Sequence, residues 1–127
     1  MSSQLGVQCP KKFVYFGLKT PIALPCQCLL EISGQPYEGK SVTMDEWPEL
    51  KPTTPTGLLP YADMPDGTAL AESGAIGRVI AASAGLLGQG KDFMVSEQLA
   101  GMTAELWKKV SAICPTMFTV ESFDDAK

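Results

Sequence analysis

The sequence contains no histidine. That absence excludes Ser-His-Asp triads, histidine general bases and histidine-ligated metal sites. Chemistry must come from tyrosine, hydroxyl, thiol or carboxylate side chains or from a bound cofactor, and no metal is expected. A C-x-x-C pair is also missing: the cysteines stand at Cys9, Cys26, Cys28 and Cys114, in neither thioredoxin-redox nor zinc-site spacing. Cys26 and Cys28 lie two residues apart in a helical stretch and so on different faces, as packing residues rather than a redox pair. Positive charge is scarce, with 10 basic against 14 acidic residues and a net charge of −4. The basic residues are scattered, which argues against nucleic acid as a partner, since phosphate binding needs concentrated positive charge. No apolar run approaches a membrane span, and Met1 to Lys12 lacks the apolar stretch of a secretory signal. The expectation is no membrane insertion, a cytoplasmic or other soluble organelle compartment, and cysteines kept as thiols.

What is present suits a packed core: 127 residues, 45% apolar and 19% charged, enough for one domain and an appendage. Phe13 to Phe16, between Lys11-Lys12 and Gly17, is the aromatic and β-branched run of a buried first strand. Thr20-Pro21 reads as an N-cap and first helical residue, opening a helix over Ala23 to Ile32. Ser33-Gly34 ends that helix, and Pro25 bends or delays its first turn. Gln35 to Val42 predicts a second strand at a sheet edge, and Pro48, Pro52, Pro55 and Pro60 forbid a long regular element after Glu46. Leu58 to Ala62 reads as a third strand, Pro65-Asp66-Gly67 as a hairpin turn and Thr68 to Ala71 as the returning strand. Ser73 to Gly85 follows as a helix capped by Ser73, with Ile76, Val79 and Ile80 on one face. This is the βαβ–ββα order of the thioredoxin fold.

Beyond the glycine-containing linker Gly85 to Gly90, a helix from Asp92 carries Met94, Leu99, Met102, Leu106, Val110 and Ile113 as far as Cys114-Pro115. Met117 to Lys127 reads as a frayed or partner-dependent tail. The expected class is therefore α/β: a thioredoxin-like βαβ–ββα domain over residues 11–87, then one long α-helix and a short tail over residues 91–127.

Four segments, in this order, resemble the glutathione S-transferase family: Tyr15-Phe16, Glu46-Trp47-Pro48-Glu49-Leu50-Lys51-Pro52, Gly57-Leu58-Leu59-Pro60 and Leu70-Ala71-Glu72-Ser73-Gly74-Ala75-Ile76. The resemblance runs from about Phe13 to Gly88 and is strongest to the tyrosine-using, sigma-like classes. It implies glutathione as co-substrate. Leu59-Pro60 matches a cis-proline position whose preceding residue offers backbone N–H and C=O groups to the cysteinyl part of the tripeptide. Glu72-Ser73 matches the pair that grips the γ-glutamyl end, the acid meeting the ammonium and the serine, with free helix N–H groups, meeting the carboxylate. Trp47 and Lys51 match two donors to the glycyl carboxylate. Tyr15 matches the hydroxyl that stabilises the thiolate, the nucleophilic form of the thiol.

Read from the residues alone, each position also has a structural reading: Tyr15 as core, Leu59-Pro60 as an edge-strand entry, Glu72-Ser73 as a plain cap, Trp47 as a surface loop. Thr20 is a second candidate beside Tyr15, since cysteine-type relatives place their reactive residue directly before the proline that opens the first helix. Threonine there lacks the thiol needed for mixed-disulfide chemistry. The chain also departs from the family pattern. Only Asp92 to about Ile113 and a short tail stand where a longer helical half is usual, the basic residue early in the first helix is absent, and Glu105 is out of register with the acid that reaches across the family's dimer interface. Two functions follow. One is an enzyme conjugating glutathione to small electrophiles, as a homodimer where the family pattern holds. The other is a non-catalytic subunit of a larger protein complex, docked through Leu99, Met102 and Leu106.

Overall fold

Phe13, Val14 and Tyr15 are all buried and form the centre of strand β1 (Lys12–Phe16). In the computed structural model, which describes residues 3–17 and 20–113, β1 pairs in parallel with β2 (Glu38–Val42) and antiparallel with β3 (Tyr61–Asp63). β3 pairs antiparallel with β4 (Ala69–Ala71), giving the order β2-β1-β3-β4. The expected edge strand is β2, exposed at every position but Val42.

Helix α1 (Leu24–Ser33) begins later than the Thr20-Pro21 pair suggested. Residues 20–23 form a turn in which the Leu24 N–H donates to the Thr20 carbonyl at 2.9 Å, and Ala23 is the N-cap. Pro25, not Pro21, is the proline of the first helical turn, where a missing N–H costs nothing. Gly34, at φ 64°, ends the helix as expected, its N–H donating to the Glu31 carbonyl at 3.2 Å.

The proline-rich stretch holds only the four-residue helix α2 (Trp47–Leu50) and a 3-10 turn, Lys51–Thr53. The predicted hairpin forms: the Met64 N–H donates to the Thr68 carbonyl at 2.8 Å, and Gly67 takes φ 91°. Asp66 accepts the Thr68 N–H at 2.9 Å, and this bond holds its carboxyl below the usual range.

Helix α3 (Ser73–Ser83) packs with α1 over the sheet face that carries Phe13, Tyr15 and Ala62, and Cys26, Leu30, Ile76 and Ile80 fill the space between. Gly77 lies where α3 meets α1: a β-carbon there would stand 3.7 Å from both Cys26 Sγ and Leu29 Cδ1. The amino-terminal arm is tied to the end of this layer through Gln4, whose side-chain amide exchanges two 3.0 Å hydrogen bonds with the Leu87 backbone.

The chain divides into two compact units between Leu87 and Gly88. In the second, helix α4 (Lys91–Ile113) runs for 23 residues and buries none of them. Leu99, Met102 and Leu106 are each close to 60% exposed. The predicted stop at Cys114-Pro115 and the tail Met117 to Lys127 lie outside the described residues. Among the described residues no helix is long and apolar enough to cross a membrane.

Candidate functional site

The sheet register brings three of the predicted positions, Tyr15, Pro60 and Glu72, to one end of the sheet. Continuing β1 and β3 one step past Val14↔Tyr61 sets Tyr15 opposite Pro60, and continuing β3 and β4 past Tyr61↔Ala71 sets Pro60 beside Glu72. With neighbouring strands about 4.8 Å apart, these three backbones form a row roughly 10 Å wide. The Leu59-Pro60 peptide bond is cis. Leu59 is half-buried against the core, with Leu58 exposed beside it.

Glu72 follows β4 directly and takes φ 70°, ψ 115°, a backbone conformation that L side chains rarely adopt. It, rather than Ser73, is the N-cap of α3: its carbonyl accepts the Ile76 N–H at 2.9 Å, and no side chain caps the helix. The first N–H groups of α3 are thus left without intrahelical or capping side-chain partners, a local positive end suited to a carboxylate. Ser73 is held from behind, its carbonyl accepting a hydrogen bond from the Cys26 thiol at 3.3 Å. Burial pushes that thiol up to about 11, partly offset by a backbone hydrogen bond from Gly77. Cys28 is exposed, so the two cysteines do face different ways, and Cys9, Cys26 and Cys28 all carry free thiols.

Trp47 stands over the end of β1, its ring 5.3 Å from Phe16 in an edge arrangement. The loop that carries it is braced by a reciprocal cap absent from the sequence reading. Thr43 donates its N–H and its hydroxyl to Glu46 at 2.9 and 3.1 Å, and the Glu46 N–H returns to the Thr43 hydroxyl at 3.3 Å. These bonds, the Thr43 N–H first, hold the Glu46 carboxyl below its ordinary value. The T-x-x-E spacing was legible as a capping box. Lys51 is exposed, and its side chain passes Gly57, whose β-carbon would lie 4.0 Å from Lys51 Cε.

Tyr15 and Thr20, alternatives in the sequence, are brought together. Their hydroxyl oxygens are 2.8 Å apart, and the residues are only 6% and 8% exposed. A cleft of about 110 Å³ lies beside Tyr15, with Gln27, Tyr37 and Lys40 in its lining. It is well below the roughly 300 Å³ of small-molecule sites. The Tyr37 hydroxyl there donates to Glu31 at 2.7 Å, and this bond, with burial, pushes the phenol up to about 12. A larger cleft of about 310 Å³, lined by Ser3, Cys9 and Gln35 among others, contains none of the predicted residues. Of the row, Tyr15 lines the smaller cleft while Pro60 and Glu72 line neither; Tyr15 and Pro60 are buried and Glu72 is exposed.

A thioredoxin-like sheet with a cis-proline beside an uncapped helix start defines the class of protein. Residues 21–88 match the family described as glutathione S-transferase, N-terminal domain. The chain belongs to the glutathione S-transferase family. It is 40% identical over 74 residues to glutathione S-transferase S1 of Drosophila melanogaster, covering 58% of this chain and 29% of that one. With the hematopoietic prostaglandin D synthase of Gallus gallus it shares 36% over 78 residues, 61% of this chain and 38% of the relative. Among solved structures, a Nu-class transferase of Haemonchus contortus superposes with a TM-score of 0.68 at 30% identity, over 74% of this chain and 46% of that one. The monomeric Na-GST-3 of Necator americanus gives 0.75 at 25% identity, over 91% and 58%. The chain spans less than half the length of the two curated relatives named.

Proposed function

We propose that this chain binds glutathione at the row formed by Tyr15, Leu59-Pro60 and Glu72-Ser73, and that the protein conjugates the bound thiolate to small electrophiles. The observation that carries the reading is Glu72, a non-glycine residue at φ 70° placed before a helix start that no side chain caps. Backbone strain of this kind concentrates at ligand sites. The Glu72 carboxylate would take the γ-glutamyl ammonium, and Ser73 with the α3 N–H groups the adjoining carboxylate. The Leu59 backbone would pair with the cysteinyl peptide, and Trp47 and Lys51 would donate to the glycyl carboxylate.

Tyr15 would donate to the sulfur. A hydrogen bond to a charged acceptor contributes about 1.5–3 kcal/mol, which lowers a thiol pKa of about 8.5 by one to two units and makes a large share of it thiolate at neutral pH. The test is retention on immobilised glutathione, followed by conjugation of a chloronitrobenzene by wild type and Tyr15→Phe. Retention with turnover that falls about tenfold or more in Tyr15→Phe is expected. A chain that neither binds glutathione nor turns over would sink the proposal. The same chemistry calls for a soluble compartment that contains glutathione.

A second reading rests on α4. Its exposed Leu99, Met102 and Leu106 favour a helix covered by a partner, either a second copy or a different subunit of an assembly. Sedimentation of wild type and of Leu99→Glu/Leu106→Glu tests it. A wild-type chain that stays monomeric at all concentrations and gains no partner from its native extract would exclude it.

A further inference from the structure

The Tyr15–Thr20 contact has no place in the roles assigned above. We infer that Thr20 is a positioning residue for Tyr15: its hydroxyl donates to the Tyr15 oxygen and so leaves the phenol proton directed at the glutathione sulfur. The inference rests on the glutathione reading.

A phenol hydroxyl carries one proton and can donate only once, while its oxygen can also accept; threonine has the same capacity. With the two oxygens 2.8 Å apart, one proton lies between them and the other is free to serve elsewhere. Phenol is the more acidic hydroxyl and the better donor, so with no ligand present Tyr15 donates to Thr20. A thiolate is a stronger acceptor than an alcohol oxygen and takes the phenol proton as its hydrogen bond. Thr20 then turns its own proton onto the Tyr15 oxygen, giving the chain Thr20 O–H to Tyr15 O–H to S⁻. No covalent bond of the protein is made or broken: the glutathione S–H proton leaves to water, and both hydroxyls keep theirs. Successive hydrogen bonds polarise one another, which makes the last donor stronger.

Both ends of the pair are fixed. Tyr15 sits in β1 between β2 and β3 and in the core with Cys26 and Ile76, and the Thr20 carbonyl is bound by the Leu24 N–H at 2.9 Å. The titratable groups grouped with Tyr15 are the Cys9 and Cys26 thiols and the Tyr37 phenol of the core cluster, together with Lys40 at the cleft.

The test titrates the ultraviolet absorbance of bound glutathione thiolate on the full chain for wild type, Thr20→Val, Thr20→Ala, Thr20→Ser and Tyr15→Phe. Circular dichroism and glutathione affinity are measured alongside. We expect Thr20→Val and Thr20→Ala to raise the pH of thiolate formation by about half to one unit, roughly a three- to tenfold loss of thiolate below that pH. Thr20→Ser should restore the wild-type curve, and Tyr15→Phe should lose more than either. If Thr20→Val does not fold, the alanine and serine pair carries the comparison. Wild-type titration in the alanine variant overturns the inference, as does a loss larger than that of Tyr15→Phe, which would make Thr20 the sulfur donor. Wild type that binds no glutathione refutes the underlying reading instead.

Discussion

Replacing Glu72 by glycine should make the protein more stable and a poorer binder of glutathione. The residue holds φ 70°, ψ 115°, is exposed, and makes no side-chain cap to α3. A non-glycine residue in such a region costs about 1–3 kcal/mol. Glycine removes that cost but loses about 0.5–1 kcal/mol through its freer unfolded chain. The expected net gain lies between about 0 and 2.5 kcal/mol, centred near 1 kcal/mol, or a few degrees of melting temperature for a domain of this size. Glu72→Ala is the control, because it deletes the same carboxylate while keeping the β-carbon and therefore the strain.

Binding should move the other way. An ion-paired hydrogen bond to the γ-glutamyl ammonium is worth about 1.5–3 kcal/mol, so both variants should bind glutathione roughly ten- to a hundredfold more weakly. Urea denaturation and isothermal titration of the three proteins suffice. Equal stability of the glycine and alanine variants would refute the strain. Wild-type affinity in either would refute the role of the carboxylate.

The contrast between Glu72 and its neighbours indicates what a sequence can disclose. The buried run of β1, the Pro65-Asp66-Gly67 turn and the Gly34 stop were readable because each residue type suits its local backbone. Glu72 was not readable as left-handed, since nothing in Glu-Ser favours φ 70° and a glycine would be the local expectation. That mismatch is itself the strongest mark of a site. Helix α1 starts one residue after the expected Ala23, with its first turn delayed as Pro25 implied; only the reading of Thr20-Pro21 as its cap and first residue failed. The Leu24 N–H does reach the Thr20 carbonyl, a local helical-type bond, but Pro25 has no N–H to continue the ladder, while the Thr20 hydroxyl is paired with that of Tyr15. Tyr15 and Thr20 competed as candidates because, five residues apart in sequence, they are paired only once the turn between β1 and α1 has folded.

The remaining predictions concern what holds the site in place. Gly77→Ala should stabilise α3 by up to about 1 kcal/mol in urea denaturation, because the added methyl stands 3.7 Å from its neighbours, an ordinary contact; a destabilised variant would mean that the helices cannot accept it. Cys28 should react with a thiol reagent in the native protein while Cys26, buried and pushed up to about 11, reacts only on unfolding; equal native rates would contradict the packing. The Glu46 carboxyl titrates below its ordinary 4.5 in the folded state, so its contribution to the loop is present above the unfolded value and is lost as pH falls through the folded one. Protection of the Thr43 amide, taken relative to its intrinsic exchange rate, should therefore fall as pH drops through the lowered Glu46 value, and in Glu46→Gln that change in protection should vanish; an unchanged profile in that variant would assign the effect elsewhere. Finally, Cys26→Ala should separate stability from binding. The thiol is a weak donor, so losing its 3.3 Å bond to Ser73 and a sulfur's worth of packing should cost only about 1–2 kcal/mol of stability. Yet that bond ties the start of α3 to α1 at the residue next to Glu72, where no side chain caps the helix. Glutathione affinity should therefore fall severalfold in Cys26→Ala and stay unchanged in Cys28→Ala. Unchanged affinity in Cys26→Ala, with the stability loss present, would mean that the sheet rather than α1 sets the position of Ser73.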